Sequence, residues 1–242
     1  YEIKGALNLP LVEDTAGVRL VLNHHDWGGW IDQPAAGRDD VNDNDMTDLR
    51  LRALWQATPR LTVNGTAIAH RNEGGGTNIA NLQPYSESLV QTFVDPTEGT
   101  PFVDDYDHLN LTADCAFDAV TLLSASGWFS TDRHGSSARR FEFEDEFIPG
   151  LPGSEVYESI THYDVDSDLF TQELRLTSGT DGALAWTAGA LFRREEAWDS
   201  WLSTQAFGGE IFASDVPTSL YSKNESWSLY GDASYALDER WE

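Results

Sequence analysis

An all-β fold, an antiparallel up-and-down transmembrane β-barrel present only in part, is what this sequence predicts. Three observations predict it. Apolar and polar residues alternate with a period of two over many segments about ten residues long. Short turns and long loops take turns in joining those segments. No stretch of 18 apolar residues is present that could cross a bilayer as a helix, and the helical period is scarce.

The strands are expected at roughly 1–10, 16–25, 46–56, 60–70, 106–116, 120–131, 167–178, 183–195 and 224–236, about nine strands of a larger barrel. In the fifth, Leu109, Leu111, Ala113, Cys115 and Phe117 share one face, while Asn110, Thr112 and Asp114 share the other. In the third, Leu49, Leu51 and Ala53 alternate with Arg50 and Arg52. In the seventh, Thr171, Glu173, Arg175 and Thr177 share a face. In the eighth, Leu184, Trp186, Ala188, Ala190 and Phe192 do so. In the last, Trp227, Leu229, Ala233 and Tyr235 oppose Ser226, Ser228, Asp232 and Ser234. A length near ten suits a tilted strand crossing a bilayer, about 9–11 residues, better than the usual soluble strand of about 5–6.

Short turns are expected at 12–15, 57–60, 117–119, 178–182 and 237–240, each carrying Asp, Gly or Pro. Long loops are expected near 26–45, 71–105, 132–166 and 196–223, all on the other side. Trp27, Trp30, Trp128, Phe129, Trp198, Trp201, Trp227 and Tyr235 fall near these strand ends, where an interfacial aromatic girdle would lie. No helical crossover is present, which excludes parallel α/β folds, and the lack of a fixed-length repeat counts against a propeller or solenoid.

The chain carries 15 basic and 41 acidic residues, a net charge of −26, so phosphate backbones would repel it and nucleic acid is excluded as a partner. One cysteine, Cys115, permits neither an internal disulfide nor a cysteine metal cluster, and it reads as a small apolar strand residue. The first residues, Tyr1-Glu2-Ile3-Lys4, have neither the basic nor the apolar stretch of a signal peptide. Arg240-Trp241-Glu242 falls where another strand would begin, so both ends read as cut from a longer protein.

Arg19, Arg50, Arg52, Glu173 and Arg175 lie on the polar strand faces and are expected to face the lumen, because charge toward lipid is costly. Glu142, Glu144, Asp145 and Glu146 lie in a long loop beside Phe141 and Phe147. They read as a solvated loop, with contact to ligand or to divalent-bridged lipopolysaccharide as the alternative. His24 and His25 point to opposite faces of a strand and so do not readily share an ion. The segment Asp39 to Asp45 lacks the central Gly and final Glu of a calcium loop. No Gly-x-Ser-x-Gly elbow or phosphate loop occurs, and no enzyme activity, cofactor or metal is expected.

Several segments resemble a known family. Gly5-Ala6-Leu7-Asn8-Leu9-Pro10-Leu11, then Asp14 to Leu20, then Asp26-Trp27-Gly28-Gly29-Trp30-Ile31-Asp32 resemble an early barrel hairpin of TonB-dependent outer-membrane receptors, with Gly17 where a larger apolar residue is commoner. Phe170-Thr171-Gln172-Glu173-Leu174-Arg175-Leu176 is similar to the family's Gln-Glu-Leu-Arg-Leu strand. Trp186 to Phe192 and Ser228 to Asp238 resemble the units that follow. The resemblance implies that residues 1–242 are part of a barrel of about 22 strands, without its plug domain and its later strands. It implies a Gram-negative outer membrane, active uptake of a scarce nutrient such as an iron–siderophore, cobalamin or an oligosaccharide, and a TonB complex engaged through the absent plug. The alternatives are a passive porin and a secreted soluble β-sandwich binding module.

Overall fold

A computed structural model of the chain describes residues 1–33, 37–76, 81–82, 89–90, 100–142, 149–150, 156–179, 182–207, 210–214 and 217–236. The strands, in chain order, are β1 (Glu2–Val12), β2 (Ala16–Trp27), β3 (Asn44–Thr58), β4 (Leu61–Gly74), β5 (Asn81–Leu82), β6 (Leu89–Val90), β7 (Phe102–Ala116), β8 (Val120–Glu142), β9 (Val156–Ser178), β10 (Leu184–Phe207), β11 (Glu210–Ser214) and β12 (Thr218–Tyr235). One antiparallel sheet runs β1-β2-β3-β4-β7-β8-β9-β10. Its last position is shared, β12 pairing residues 184–201 of β10 and β11 pairing residues 204–207. The wall therefore has nine positions, the number the alternation predicts. β5 and β6 form a two-stranded hairpin outside it.

Turn chemistry closes one end of the wall. Asp14 takes a positive φ of 53°, and the Thr15 amide donates to Val12 at 3.1 Å. The Thr58 hydroxyl accepts from the amides of Arg60 and Leu61 after Pro59. Adjacent turns are tied together: Arg60 Nη2 reaches Asp118 Oδ1 at 2.7 Å, and the Gly179 amide donates to Ala119 at 2.8 Å.

At the other end the expected loop bounds need correction. Much of 132–166 and 196–223 is strand, since β8 and β9 each have 23 residues and β10 has 24. The alternation of apolar with polar side chains stops near Phe129 and Glu195: Asp132, Arg133 and His134 follow on β8, and on β10 Trp198, Asp199, Ser200 and Trp201 mix the two kinds on both faces. Backbone pairing continues regardless, with Asp132 opposite Asp166 and Asp199 opposite Val165. The segment between β2 and β3 folds on itself instead: the Asn42 side chain accepts from the amides of Trp30 and Ile31, each at 2.8 Å, and Ile31 and Val41 are buried.

Register sorts the side chains into two faces. Leu7, Leu20, Leu51, Ala67, Leu109, Trp128 and Phe170 form one rung. The next rung on that face holds Leu9, Val18, Ala53, Gly65, Leu111, Ser126, Gln172, Phe192 and Trp227. Here the large apolar side chains stay open, Leu109 at 50% and Leu111 at 53% exposed. Among the described residues no second sheet packs on them.

The apolar belt descends across the sheet. Its upper border is Leu22 on β2, opposite Gly5, but Phe192 on β10, in the rung of Leu9. Its lower border drops likewise, from Trp55 on β3 to Leu184 and Tyr235 on β10 and β12. A belt oblique to the rungs is what inclined barrel strands require. An aromatic row borders it above, Trp128, Phe170, Phe192 and Trp227 on four neighbouring wall positions. The Phe170 and Phe192 rings lie 6.3 Å apart, and those of Phe192 and Trp227 4.4 Å. Trp55 and Tyr235 mark the lower border, each more than half exposed. From Trp227 to Tyr235 the strand rises about 27 Å, or roughly 20 Å along the normal at a tilt near 40°. Trp27, Phe129 and Trp201 project on the opposite face, and Trp198 stands well above the belt, so these four leave the expected girdle.

Candidate site on the polar face

The other face is polar along the same rungs. Asn8, Arg19, Arg52, Thr66, Asn110, Gly127, Thr171, Arg193 and Ser226 make one rung at the depth of the belt. Gly127 leaves the room the Thr171 hydroxyl occupies, since a Cβ there would stand 2.8 Å from it. The rung above carries Ala6, Val21, Arg50, Ile68, His108, Phe129, Leu169 and Glu195.

All five charged strand residues singled out in the sequence share this face, but they form two groups. Arg19 stands directly opposite Arg52, and Arg50 is one rung above Arg52 on β3. Arg19 donates to Asn8 Oδ1 at 3.2 Å. Four wall positions from β3, Glu173 lies 4.0 Å from Arg175 and accepts a hydrogen bond from the Tyr230 hydroxyl. Tyr230 reaches across Gly189, where any Cβ would run into the phenol ring. A glycine at that position is therefore what lets β12 bond to β9 over the top of β10.

Sequence reasoning missed a third group. His70 Nδ1 lies 2.6 Å from Asp48 Oδ1, the Asn23 amide donates to Asp48 Oδ2 at 3.2 Å, and Tyr106 stacks on the His70 ring at 4.6 Å with planes 16° apart. His70, Asp48 and Tyr106 are far apart in sequence, and only the pairing of β3, β4 and β7 brings them together. His24 and His25 diverge as strand geometry demands: His24 meets Thr47 at 2.9 Å, and His25 meets Glu2 at 3.2 Å on the opposite face.

Above the belt, acids gather on the continuation of the apolar face. Asp105, Asp132 and Asp166 lie side by side on β7, β8 and β9. Reduced hydration of its carboxyl, then the charges of Asp132, Asp164 and Asp168, hold Asp166 above the ordinary carboxylate range, with His134 opposing. Of the loop acids, Glu142 ends β8 as backbone only, and Glu144, Asp145 and Glu146 lie outside the described residues.

Fold and faces together define a stretch of transmembrane β-barrel wall. No protein-family model matches the chain, and no curated protein matches it in sequence. Solved structures match its shape. The ferric citrate transporter FecA in its unliganded form superposes at TM-score 0.61 with 13% identity, over 97% of this chain and 35% of its own. The P. aeruginosa receptor FpvA, bound to a heterologous pyoverdine and iron, gives 0.57 with 12% identity, over 98% and 33%. The RagAB peptide transporter gives 0.52 with 12% identity, over 98% and 30%. These are TonB-dependent outer-membrane receptors, and this chain has the fold of part of their barrel, spanning about a third of each.

Proposed function

We propose that residues 1–242 are part of the barrel domain of a TonB-dependent receptor in the outer membrane of a Gram-negative bacterium. The whole protein takes up a scarce, bulky nutrient of the iron–siderophore, cobalamin or oligosaccharide class. The single observation that carries this reading is the oblique apolar belt with aromatic borders on one face only, opposite a charged face. A continuous band of that height suits hydrocarbon, where every wall amide must find its partner within the sheet. The charged face then lines the lumen, and Arg19, Arg50, Arg52, Glu173 and Arg175 face a channel or whatever fills it. The shape shared with FecA and FpvA supports the receptor class, and the TonB complex would be engaged by a plug domain outside these residues.

The test is uptake by the full-length protein in a Gram-negative host, with and without functional TonB, over ferric siderophores, cobalamin and oligosaccharides. Energy-dependent uptake that disappears with TonB is expected. Uptake that survives loss of TonB would make the protein a passive porin. Recovery in the soluble fraction, without detergent, would end the barrel reading altogether.

A further inference from the structure

The polar face balances its cations locally with one exception. Lys4 pairs with Glu2, Arg133 with Asp104 at 3.0 Å, Arg175 with Glu173 at 4.0 Å, and Arg193 with Glu195 at 3.0 Å. Among the described residues of this face, only Arg19, Arg50 and Arg52 have no carboxylate within 4 Å. The nearest acid along β3, Asp48, is already engaged by His70 and Asn23.

This exception is energetically adverse by itself. Directly opposed residues of an antiparallel pair carry their Cβ atoms about 4.5–5.5 Å apart, and like charges there repel. Arg19 and Arg52 are such a pair, and Arg50 adds a third guanidinium on the same strand face. All three side chains are exposed, in a chain whose net charge is −26. Beside Arg19 and Arg52 the wall has a shallow hollow of about 470 Å³, where Asn8, Asn64 and Thr66 border it together with the apolar Pro10 and Leu54, and Arg50 stands one rung above. Asn8, Asn64 and Thr66 can donate and accept hydrogen bonds there, and Gly17 leaves the floor open, with only the Leu9 carbonyl within 4 Å of a Cβ placed there. The volume is in the range of small-molecule sites, about 300–1,000 Å³.

We propose that Arg19, Arg50 and Arg52 form a binding site for a small polyanion, of carboxylate or phosphate chemistry, on the channel wall at the depth of the belt. Guanidinium pairs grip planar oxyanions by two parallel hydrogen bonds, and a bound anion relieves the repulsion between Arg19 and Arg52. This rests on the polar face lining the channel, a reading that is checked separately.

The experiment is calorimetric titration of the full-length protein, purified in detergent, with citrate in one arm and inorganic phosphate in the other. Saturable binding in either arm is expected, weakening with salt, and the stronger arm names the chemistry. The double variant Arg19→Gln/Arg52→Gln should weaken it at least about tenfold. Arg60→Gln, in a turn and paired with Asp118, should leave it unchanged. Absence of binding in both arms, or equal binding in the double variant, overturns the site. So does loss of thermal stability in the double variant without anion binding, because the arginines would then be holding protein carboxylates. Arg52→Cys in a Cys115→Ser background tests the facing. Modification by a water-soluble thiol reagent is expected, and quenching of a fluorophore there by brominated lipid would refute the channel reading itself.

Discussion

The Ser126 hydroxyl donates to Gln172 Oε1 at 2.5 Å, across the β8–β9 pair on the apolar face and inside the belt. The amide nitrogen of Gln172 returns to Ser124 Oγ at 3.2 Å and to the Glu173 carbonyl at 3.0 Å. One carboxamide and two hydroxyls thus satisfy each other where water is absent in the proposed setting. Hydrocarbon makes an unsatisfied amide costly. The double change Ser124→Ala/Ser126→Ala should therefore destabilise the protein by about 1–3 kcal/mol, while Gln172→Leu alone should be near neutral and should rescue the double change. Urea midpoints in lipid vesicles would show this, and no rescue by Gln172→Leu would mean that water reaches this face.

The two faces differ in their tolerance of charge. Leu174 is 49% exposed within the belt, and Thr171 sits on the polar rung beside Arg193. Leu174→Arg should cost about 2–4 kcal/mol and cut the fraction that assembles, whereas Thr171→Arg should assemble almost as well as the parent. Heat-modifiable mobility of the membrane fraction measures assembly, and equal yields for the two variants would reverse the facing.

Tyr230 crosses Gly189 to bond with Glu173. Tyr230→Phe should lower the unfolding midpoint, because the Glu173 carboxylate loses a charge-assisted hydrogen bond. Gly189→Ala should lower it more, because the ring must leave its place, but should cost little once Tyr230 is already Ala. A double-mutant cycle on unfolding midpoints tests the coupling, and additive effects would show that the glycine acts elsewhere.

Asp166 stands above the belt on β9, with its carboxyl pKa raised by poor hydration and by Asp132, Asp164 and Asp168. A raised value means the folded state holds the proton more tightly than the unfolded one. Stability of this hairpin should be greatest below the ordinary aspartate range and should fall as pH rises through the elevated folded value. Asp166→Asn should protect the amides of residues 163–167 from hydrogen exchange at neutral pH and flatten their acid dependence. Identical protection in both proteins across that range would exclude the cluster as the cause.

The nine wall positions and the shared face of Arg19, Arg50, Arg52, Glu173 and Arg175 were legible in the sequence, since a period of two needs only the order of residues. The upper halves of β8, β9 and β10 were not. Around Asp132, Asp166 and Asp199 no face keeps a consistent polarity, and backbone pairing leaves no trace in hydropathy. Phe129 and Trp201 looked like interfacial aromatics because they fall near expected strand ends, yet each points to the polar face. The stacking of His70 on Tyr106 and the union of Gln172 with Ser124 and Ser126 depend on register between strands, which no single segment encodes.

The nine positions carry an arithmetic of their own. Every neighbouring pair of the wall is antiparallel, so β1 and the β11–β12 edge point the same way along the wall. Joined directly to each other, those two margins would meet as a parallel seam. Any ring of purely antiparallel neighbours that includes this sheet must add an odd number of strands to it, and its total is therefore even.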